Sequence, residues 1–310
     1  MISFIIPAYN EEAVIGATLE AVKKHAPSEE FEVIVVDNGS TDKTASIATQ
    51  QGARVVLYND GTIAAARNYG VKHSQGDILI FIDADVLLTP HWQDNISQQI
   101  SKLRAEPMQI SGSRCRPPSD YSWFNEYWYG LMNNDNASYI NSGHMITTKQ
   151  VFDSIHGFSE HLKTAEDHDF CQKAEALVAK ITPNIELLAI HDGYPKSLKQ
   201  FIQRERWHGR EDFKNFDSFF HSKIALVATG NLLTFILSLL LVLYSANPMP
   251  FVIYLTLMLI SCGLLGMVKF RFNSVKYFVN NTLIHFIYFW GRSMALIDRL
   301  TGKYTGRFRE

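Results

Sequence analysis

Cysteine is nearly missing from this chain. Cys115, Cys171 and Cys262 are the whole complement in 310 residues, an odd number at wide spacing, with the last in an apolar run. That excludes a disulfide framework or a zinc–thiolate cluster and points to a reducing compartment. Charge is scarce as well, 19 % of residues against 46 % hydrophobic, which excludes a disordered chain. No secretory signal is expected, because the chain opens on Ile2-Ser3-Phe4-Ile5-Ile6, too short for a signal core and without a basic flank. Acidic residues almost vanish from residue 221 onward: nine Lys/Arg face two Asp/Glu, so that part carries +7 and residues 1–220 carry −9. An acidic body on a basic tail suits an anionic membrane surface and gives the body no reason to bind nucleic acid.

Two runs lack charge altogether. Residues 224–244 make 21 uncharged positions, about 31 Å as a helix, enough to cross a bilayer core. Residues 251–268 make a second run, after a short turn with Pro248 and Pro250. That turn has no Lys or Arg, whereas Lys223, Lys269, Arg271 and Lys276 flank the pair. The positive-inside rule therefore puts both flanks, and the body with them, in the cytoplasm. Residues 277–297 are also apolar but contain Asn280, Asn281, His285 and Arg292. A crossing there would strand Arg299, Lys303, Arg307 and Arg309 outside, so an amphipathic interfacial helix over about 275–299 is expected.

The first hundred residues alternate short β-branched runs with helical stretches. Strands are expected at 2–6, 31–36, 54–58 and 78–82, and helices at 11–24, from 43, at 63–73 and at 91–104; Leu187–Ile190 reads as a later strand. Continuous apolar strands separated by helices imply a mostly parallel α/β sheet covered on both faces. Ligands of such sheets bind beyond the carboxyl ends of the strands. Three polar clusters fall there: residues 7–12, residues 37–42, and Asp83-Ala84-Asp85. The stretch 117–139, with Tyr121, Trp123, Phe124, Tyr127, Trp128 and Tyr129, reads either as core or as the wall of a sugar or lipid site.

Two carboxylates about one small residue at a strand end can hold Mn²⁺ or Mg²⁺, which prefer oxygen ligands and bridge to phosphate oxygens. Alone the triplet is common. Its company is more specific. Pro7-Ala8-Tyr9-Asn10-Glu11, then Val36-Asp37-Asn38-Gly39-Ser40-Thr41-Asp42, then Ala64-Ala65-Ala66-Arg67-Asn68-Tyr69-Gly70, and then Asp83-Ala84-Asp85 follow in order. In this the chain resembles family 2 glycosyltransferases of the GT-A fold, over roughly residues 1–215.

The resemblance implies a Rossmann-like GT-A catalytic domain over 1–220, and the uncharged runs place a membrane portion over 221–310, with spans at about 224–244 and 251–268. It implies that Pro7, Ala8, Tyr9 and Glu11 line a nucleotide pocket, and that Asp37 contacts base or ribose. Arg67 would lie near the diphosphate or a donor hydroxyl, and Asp83, Ala84 and Asp85 would hold the sugar nucleotide and metal. Glu166-Asp167 matches the family's acidic pair, with Asp167 the general base of inverting enzymes. Gly143, in Asn141-Ser142-Gly143-His144, falls where the family has a glycine loop near donor and acceptor. His191 is carried over as a third metal ligand, with His168 and His208 as competitors. Gln203-Arg204-Glu205-Arg206-Trp207 fits the QxxRW pattern of a subset of the family. Its Gln203, Arg206 and Trp207 would meet the diphosphate or the acceptor; a basic helix resting on lipid headgroups is the plainer reading.

The expected activity is transfer of a hexose-like sugar from a nucleotide diphosphate donor, a UDP-sugar before a GDP-sugar. The acceptor would be a hydroxyl of a membrane lipid or lipid-linked saccharide in glycan biosynthesis, at the cytoplasmic face of a bacterial inner membrane. A polyprenyl-phosphate glycosyltransferase is the near alternative, and an inactive membrane scaffold or sugar-nucleotide sensor the distant one. Homo-oligomerisation is left open.

Overall fold

The computed structural model describes residues 1–302 apart from 60, 120, 121, 133–138, 163, 214, 272 and 273. Tyr121, Lys303, Arg307 and Arg309 thus lie outside the described residues. The chain divides into two compact units, Met1–Pro118 with Asn133–Gly193, and Ser119–Met132 with Tyr194–Glu310.

The first unit runs β1 (Ile2–Ala8), α1 (Ile15–His25), β2 (Phe31–Asp37), α2 (Thr44–Gln50), β3 (Arg54–Leu57), α3 (Ile63–Lys72), β4 (Ile78–Ile82), β5 (Val86–Leu88), α4 (Pro90–Ala105), β6 (Gln109–Gly112), β7 (His144–Thr148), α5 (Lys149–Ser154), α6 (Glu166–Ala176), β8 (Lys180–Pro183) and β9 (Ala189–His191). Seven strands form one sheet in the order β3-β2-β1-β4-β7-β6-β8. β1 to β4 are mutually parallel, and β7 enters antiparallel beside β4. Every residue of β1 and β4 is buried, which is why their sequences carry no alternation of apolar and polar residues. Phe4, Ile6, Ile80 and Ile82 pack on one face with Trp92 and Ile96 of α4. Ile5, Phe81 and Met145 pack on the other with Phe158 and Phe170.

The strand order changes direction between β1 and β4, so the ligand crevice belongs beyond the carboxyl ends of those strands. Ala8 sits level with Asp37 across β1 and β2. Ile82 sits level with His144, so β7 delivers the glycine loop that precedes it to the same end.

Helix α1 starts at Ile15, later than the sequence suggests, because the Val14 and Ile15 N–H groups both donate to the Glu11 carbonyl in a preceding turn. Its stripe of Ile15, Leu19 and Val22 is buried, and Lys23, Lys24 and His25 close its last turn, where cations suit the helix dipole. The late strand is β9, not Leu187–Ile190: the Leu187 N–H turns back to Asn184, and pairing with β5 begins at Ala189.

The second unit holds a π-helical turn, Asn125–Tyr129, and α7 (Leu198–Asp212), α8 (Phe216–His221), α9 (Lys223–Ser245), α10 (Met249–Phe270) and α11 (Val275–Thr301). α9 and α10 are long and apolar enough to cross a membrane, each with a mean hydropathy of 2.3 over its best window. Only 17 % and 22 % of those windows are covered by protein. The core helix of a soluble protein would be mostly covered, and here Leu233, Leu237, Leu240 and Leu243 stand exposed.

Helix α11 turns its polar side chains onto protein. Asn281 donates to the Tyr127 carbonyl at 2.8 Å, Ser293 donates to the Ala228 carbonyl at 2.8 Å, and Asp298 pairs with Arg206. Two glycines let α7 and α11 approach: a Cβ on Gly209 would lie 2.8 Å from Ala295 Cβ, and one on Gly291 would lie 2.9 Å from Glu205 Cβ. Phe124, Tyr127, Trp128 and Tyr129 form the core of this unit with Phe201 and Ile284, which realises the core reading of that aromatic stretch.

Candidate active site

Asp83 and Asp85 follow β4 and bracket a turn closed by the Val86 N–H, which donates to the Asp83 carbonyl. Ala84 is buried, and its carbonyl accepts a 2.7 Å hydrogen bond from the Thr18 hydroxyl of α1. A buried bond of this kind fixes the peptide between the two carboxylates. The β5–β9 ribbon does the rest. Val86 pairs with His191, and the Asp192 N–H donates to the Asp85 carbonyl, so the chain returns from residue 191 beside the triplet. Ligand atoms of Asp83, Asp85 and His191 all lie within 4.8 Å of one another. His191 Nε2 is 3.4 Å from Asp85 Oδ1.

Whether this set suits a cation can be read from the backbone around it. A Cβ on Gly193 would fall 1.9 Å from Asp85 Oδ2 and 2.8 Å from His191 Cε1. A Cβ on Gly143 would fall 2.7 Å from Asp83 Oδ2. Both carboxylates are thus cradled by glycine, in space that any side chain would take. Two carboxylates and an imidazole are a donor set for Mn²⁺ or Mg²⁺, and the residues fit such an ion.

Arg67 is the hub of the site. It is 1 % exposed, donating from Nη2 to Asp83 at 2.7 Å and from Nη1 to Glu166 at 2.8 Å. Its guanidinium stacks 5.7 Å from the Phe158 ring centre. The Ser142 hydroxyl donates to the same Glu166 oxygen at 3.2 Å, and the Gly143 carbonyl accepts from Asp83 N–H. One guanidinium and one glycine loop therefore tie Asp83, of the candidate cation site, to the acidic pair. Glu166 and Asp167 open α6 and are buried, where anions suit the positive end of a helix. Ala165, just before them, is held at φ 61°, an uncommon conformation for a residue with a side chain. Burial raises the Asp167 carboxyl above the ordinary range, and the neighbouring Glu166 charge raises it further, against the pull of its bond from His168 N–H.

The residues expected to meet a nucleotide line up along the ends of β1 and β2. Pro7 and Ala8 end β1, with Tyr9 and Glu11 in the loop after it. Asp37 ends β2, buried, and accepts from Ser40 N–H at 3.1 Å. The Asn38 amide both donates to and accepts from the Gly61 backbone, at 2.8 and 3.1 Å, and so shapes the next loop.

Of the competing histidines, His168 is exposed and meets the Tyr139 ring edge-on, and His208 belongs to α7 of the second unit. His144 is core. Its Nε2 accepts from Trp92 Nε1 at 2.8 Å, and burial pushes it down to about 4, so it is neutral. Gln203, Arg206 and Trp207 also lie on α7, where the Arg206 guanidinium is held by Asp298. Thr18 and Gly193 were not expected. A polar Thr on the apolar stripe of α1, and a glycine two residues after His191, are the signals that mark them.

The fold and the site define an α/β domain with a candidate cation site, two carboxylates and one imidazole, beyond the carboxyl ends of a switch-point sheet. The comparisons with known proteins agree. The glycosyl transferase family 2 model matches residues 3–156. Glycosyltransferase AglE of Haloferax volcanii is 42 % identical over 99 residues, 30 % of this chain and 32 % of that protein. A poly(ribitol-phosphate) beta-glucosyltransferase of Bacillus spizizenii is 25 % identical over 224 residues, 67 % of this chain and 35 % of that one. This chain thus spans about a third of the length of these relatives. The structure of mannosyltransferase PcManGT from Pyrobaculum calidifontis, in complex with GDP-Man and Mn²⁺, matches with a TM-score of 0.58 at 17 % identity, covering 97 % of this chain and 87 % of that one. Residues 3–156 thus carry a glycosyl transferase family 2 domain, and the fold is GT-A-like.

Proposed function

We propose that residues 1–220 carry a divalent-cation-dependent, inverting transfer of a sugar from a nucleotide diphosphate, a UDP-sugar or a GDP-sugar. The acceptor is a hydroxyl of a membrane lipid or lipid-linked saccharide. Residues 221–310 hold the enzyme at the cytoplasmic face of a bacterial inner membrane. The observation that carries this reading is the coupling of Asp83, Asp85 and His191 to buried Glu166 and Asp167 through Arg67. Asp83, Asp85 and His191 would hold Mn²⁺ or Mg²⁺, which would supply charge stabilisation for a departing diphosphate. Pro7, Ala8, Tyr9, Glu11 and Asp37 bind base and ribose. Arg67 fixes Asp83 and Glu166, and Gly143 leaves room beside them. Asp167 takes the acceptor hydroxyl proton as that oxygen bonds the anomeric carbon and the nucleotide diphosphate leaves. Its raised affinity for a proton favours this role. For Gln203, Arg206 and Trp207 the role is the one the motif implies, contact with diphosphate or acceptor.

A hydroxyl acceptor needs a base, whereas a polyprenyl phosphate is already ionised. The buried Glu166-Asp167 pair supports the first. The test supplies membranes containing the protein with radiolabelled UDP- and GDP-sugars and Mn²⁺. Transfer that disappears in Asp85→Ala supports the reading. No transfer from any donor, or full activity in Asp85→Ala, sinks it.

A further inference from the structure

The second unit contains an arginine that its own fold leaves uncommitted. Arg204 lies one turn before His208 on α7, and its guanidinium sits 5.3 Å from the Tyr129 ring centre and 5.2 Å from that of Tyr194. Those two ring centres lie 4.3 Å apart, with the planes tilted at 32°. Its one hydrogen bond is a long contact, 3.4 Å, with His208 Nε2, and it forms no salt bridge among the described residues. The nearby carboxylate of Glu205 turns to Arg292, at 3.1 Å, and Arg292 in turn holds Asp212. His208 offers Arg204 no charge, since burial, together with the Arg204 and Arg292 charges, pushes that imidazole down to about 3.

A second observation points the same way. Tyr129 is 4 % exposed, and its hydroxyl has no hydrogen-bond partner among the described residues. Buried hydroxyls are almost always bonded, so an orphan beside a cation asks for an acceptor that the fold does not supply. Tyr129 ends the π-helical turn Asn125–Tyr129, a kind of distortion that recurs at functional sites. The same aromatic core carries a further cation at its other edge, Lys269 at the end of α10, 4.4 Å from the Trp128 ring centre. A guanidinium, an orphan hydroxyl donor and aromatic walls next to the end of a membrane-length helix match a phosphate oxyanion at the headgroup level.

We propose that Arg204 and the Tyr129 hydroxyl form a subsite for the phosphate of a membrane-embedded lipid. The proposal rests on the membrane reading given above and narrows its acceptor class. Two lipids offer that chemistry: the diphosphate that links a glycan to an isoprenoid, and the phosphodiester of a bulk anionic phospholipid.

The test uses the full chain in an uncharged detergent, without donor or metal, and native mass spectrometry. Four probes are compared: an isoprenyl diphosphate, phosphatidylglycerol, diacylglycerol and inorganic pyrophosphate. The wild type is expected to retain the phosphate lipids over diacylglycerol. Retention should fall about tenfold or more in Arg204→Gln and roughly three- to tenfold in Tyr129→Phe, as loss of charged and neutral hydrogen bonds predicts. Arg204→Lys should recover part of it. Tighter retention of the isoprenyl diphosphate assigns the subsite to a lipid-linked acceptor, and equal retention assigns it to bulk headgroups. Tyr129→Phe keeps the ring contact, so it decides the matter even where Arg204→Gln does not fold. Equal retention by wild type and variants overturns the proposal, as does pyrophosphate binding as tightly as the lipids. Because no sugar is transferred, failure here leaves the transferase reading standing, and failure of transfer leaves this result standing.

Discussion

Arg67 reaches Asp83 and Glu166 with two nitrogens of one buried guanidinium, at 2.7 and 2.8 Å. The carboxylate of the candidate cation site and the carboxylate beside the proposed base therefore share a single counter-charge. Neither can be repositioned without the other.

Arg67→Met should remove that counter-charge and leave two carboxylates facing each other. Orphaning buried charges costs about 3–5 kcal/mol, so a clear fall in the denaturation midpoint is expected, together with loss of transfer. Arg67→Lys, a point charge that cannot span both acids, should recover part of the stability and little of the activity. An unchanged midpoint in Arg67→Met would refute the hub role.

Gly193→Ala separates cation binding from folding. Its methyl group would land 1.9 Å from Asp85 Oδ2, so the carboxylate must swing away. Mn²⁺ affinity, read by electron paramagnetic resonance, should fall at least tenfold, roughly 1.4 kcal/mol. The far-ultraviolet circular dichroism should stay as it is. Undiminished Mn²⁺ binding would show that these residues are not the ligands.

Asp167→Asn is expected to oppose activity and stability. Burial and then Glu166 raise the Asp167 carboxyl. A raised carboxyl favours the folded state below its unfolded value, near 3.9, and loses that advantage as pH climbs through the folded value. At pH 7 the charge is a burden, so the neutral amide should raise the midpoint there, and the gain should vanish on acidification to pH 3–4. Turnover should collapse with donor binding retained, and the acid limb of the wild-type rate profile should lie above the ordinary aspartate range. Normal turnover in Asp167→Asn would favour the polyprenyl-phosphate alternative.

Arg206 and Asp298 invite a double-mutant cycle. Asp298 is 2 % exposed and Arg206 41 %, so Arg206→Met should destabilise by about 2–3 kcal/mol, less than a fully buried pair. Arg206→Met with Asp298→Leu should restore most of that. If transfer returns with stability, Arg206 only joins α7 to α11. If it stays lost, Arg206 touches the substrate as its motif implies.

Much of this was legible because local signals agreed. β1, β2 and β4 are unbroken β-branched runs, and α4 announces itself with Thr89 as its cap and Pro90 in its first turn. The clusters at residues 7–12, 37–42 and 83–85 follow directly from strands that stop where polarity begins. The β5–β9 ribbon has three residues a side and no pattern long enough to read. β6 and β7 are short and partly polar, and they pair antiparallel within a parallel context, which no local signal encodes. The motif places Arg67 near a diphosphate or a donor hydroxyl and carries no sign of its burial. Its burial depends on Asp83 and Glu166, 16 and 99 residues away. The polar residues of α11 meet Tyr127, Ala228 and Arg206, which are distant in sequence, and no local pattern encodes those contacts.

The ribbon that brings His191 to Asp85 also sets an order of events. Asp83 and Asp85 leave β4 early in the chain, but the imidazole arrives only with β9, the last strand of the first unit. Closing so long a loop is entropically slow relative to the local strand–helix pairings before it. Full-affinity cation capture should thus be the final event of refolding in this unit, and Mn²⁺ uptake should serve as a clock for its completion.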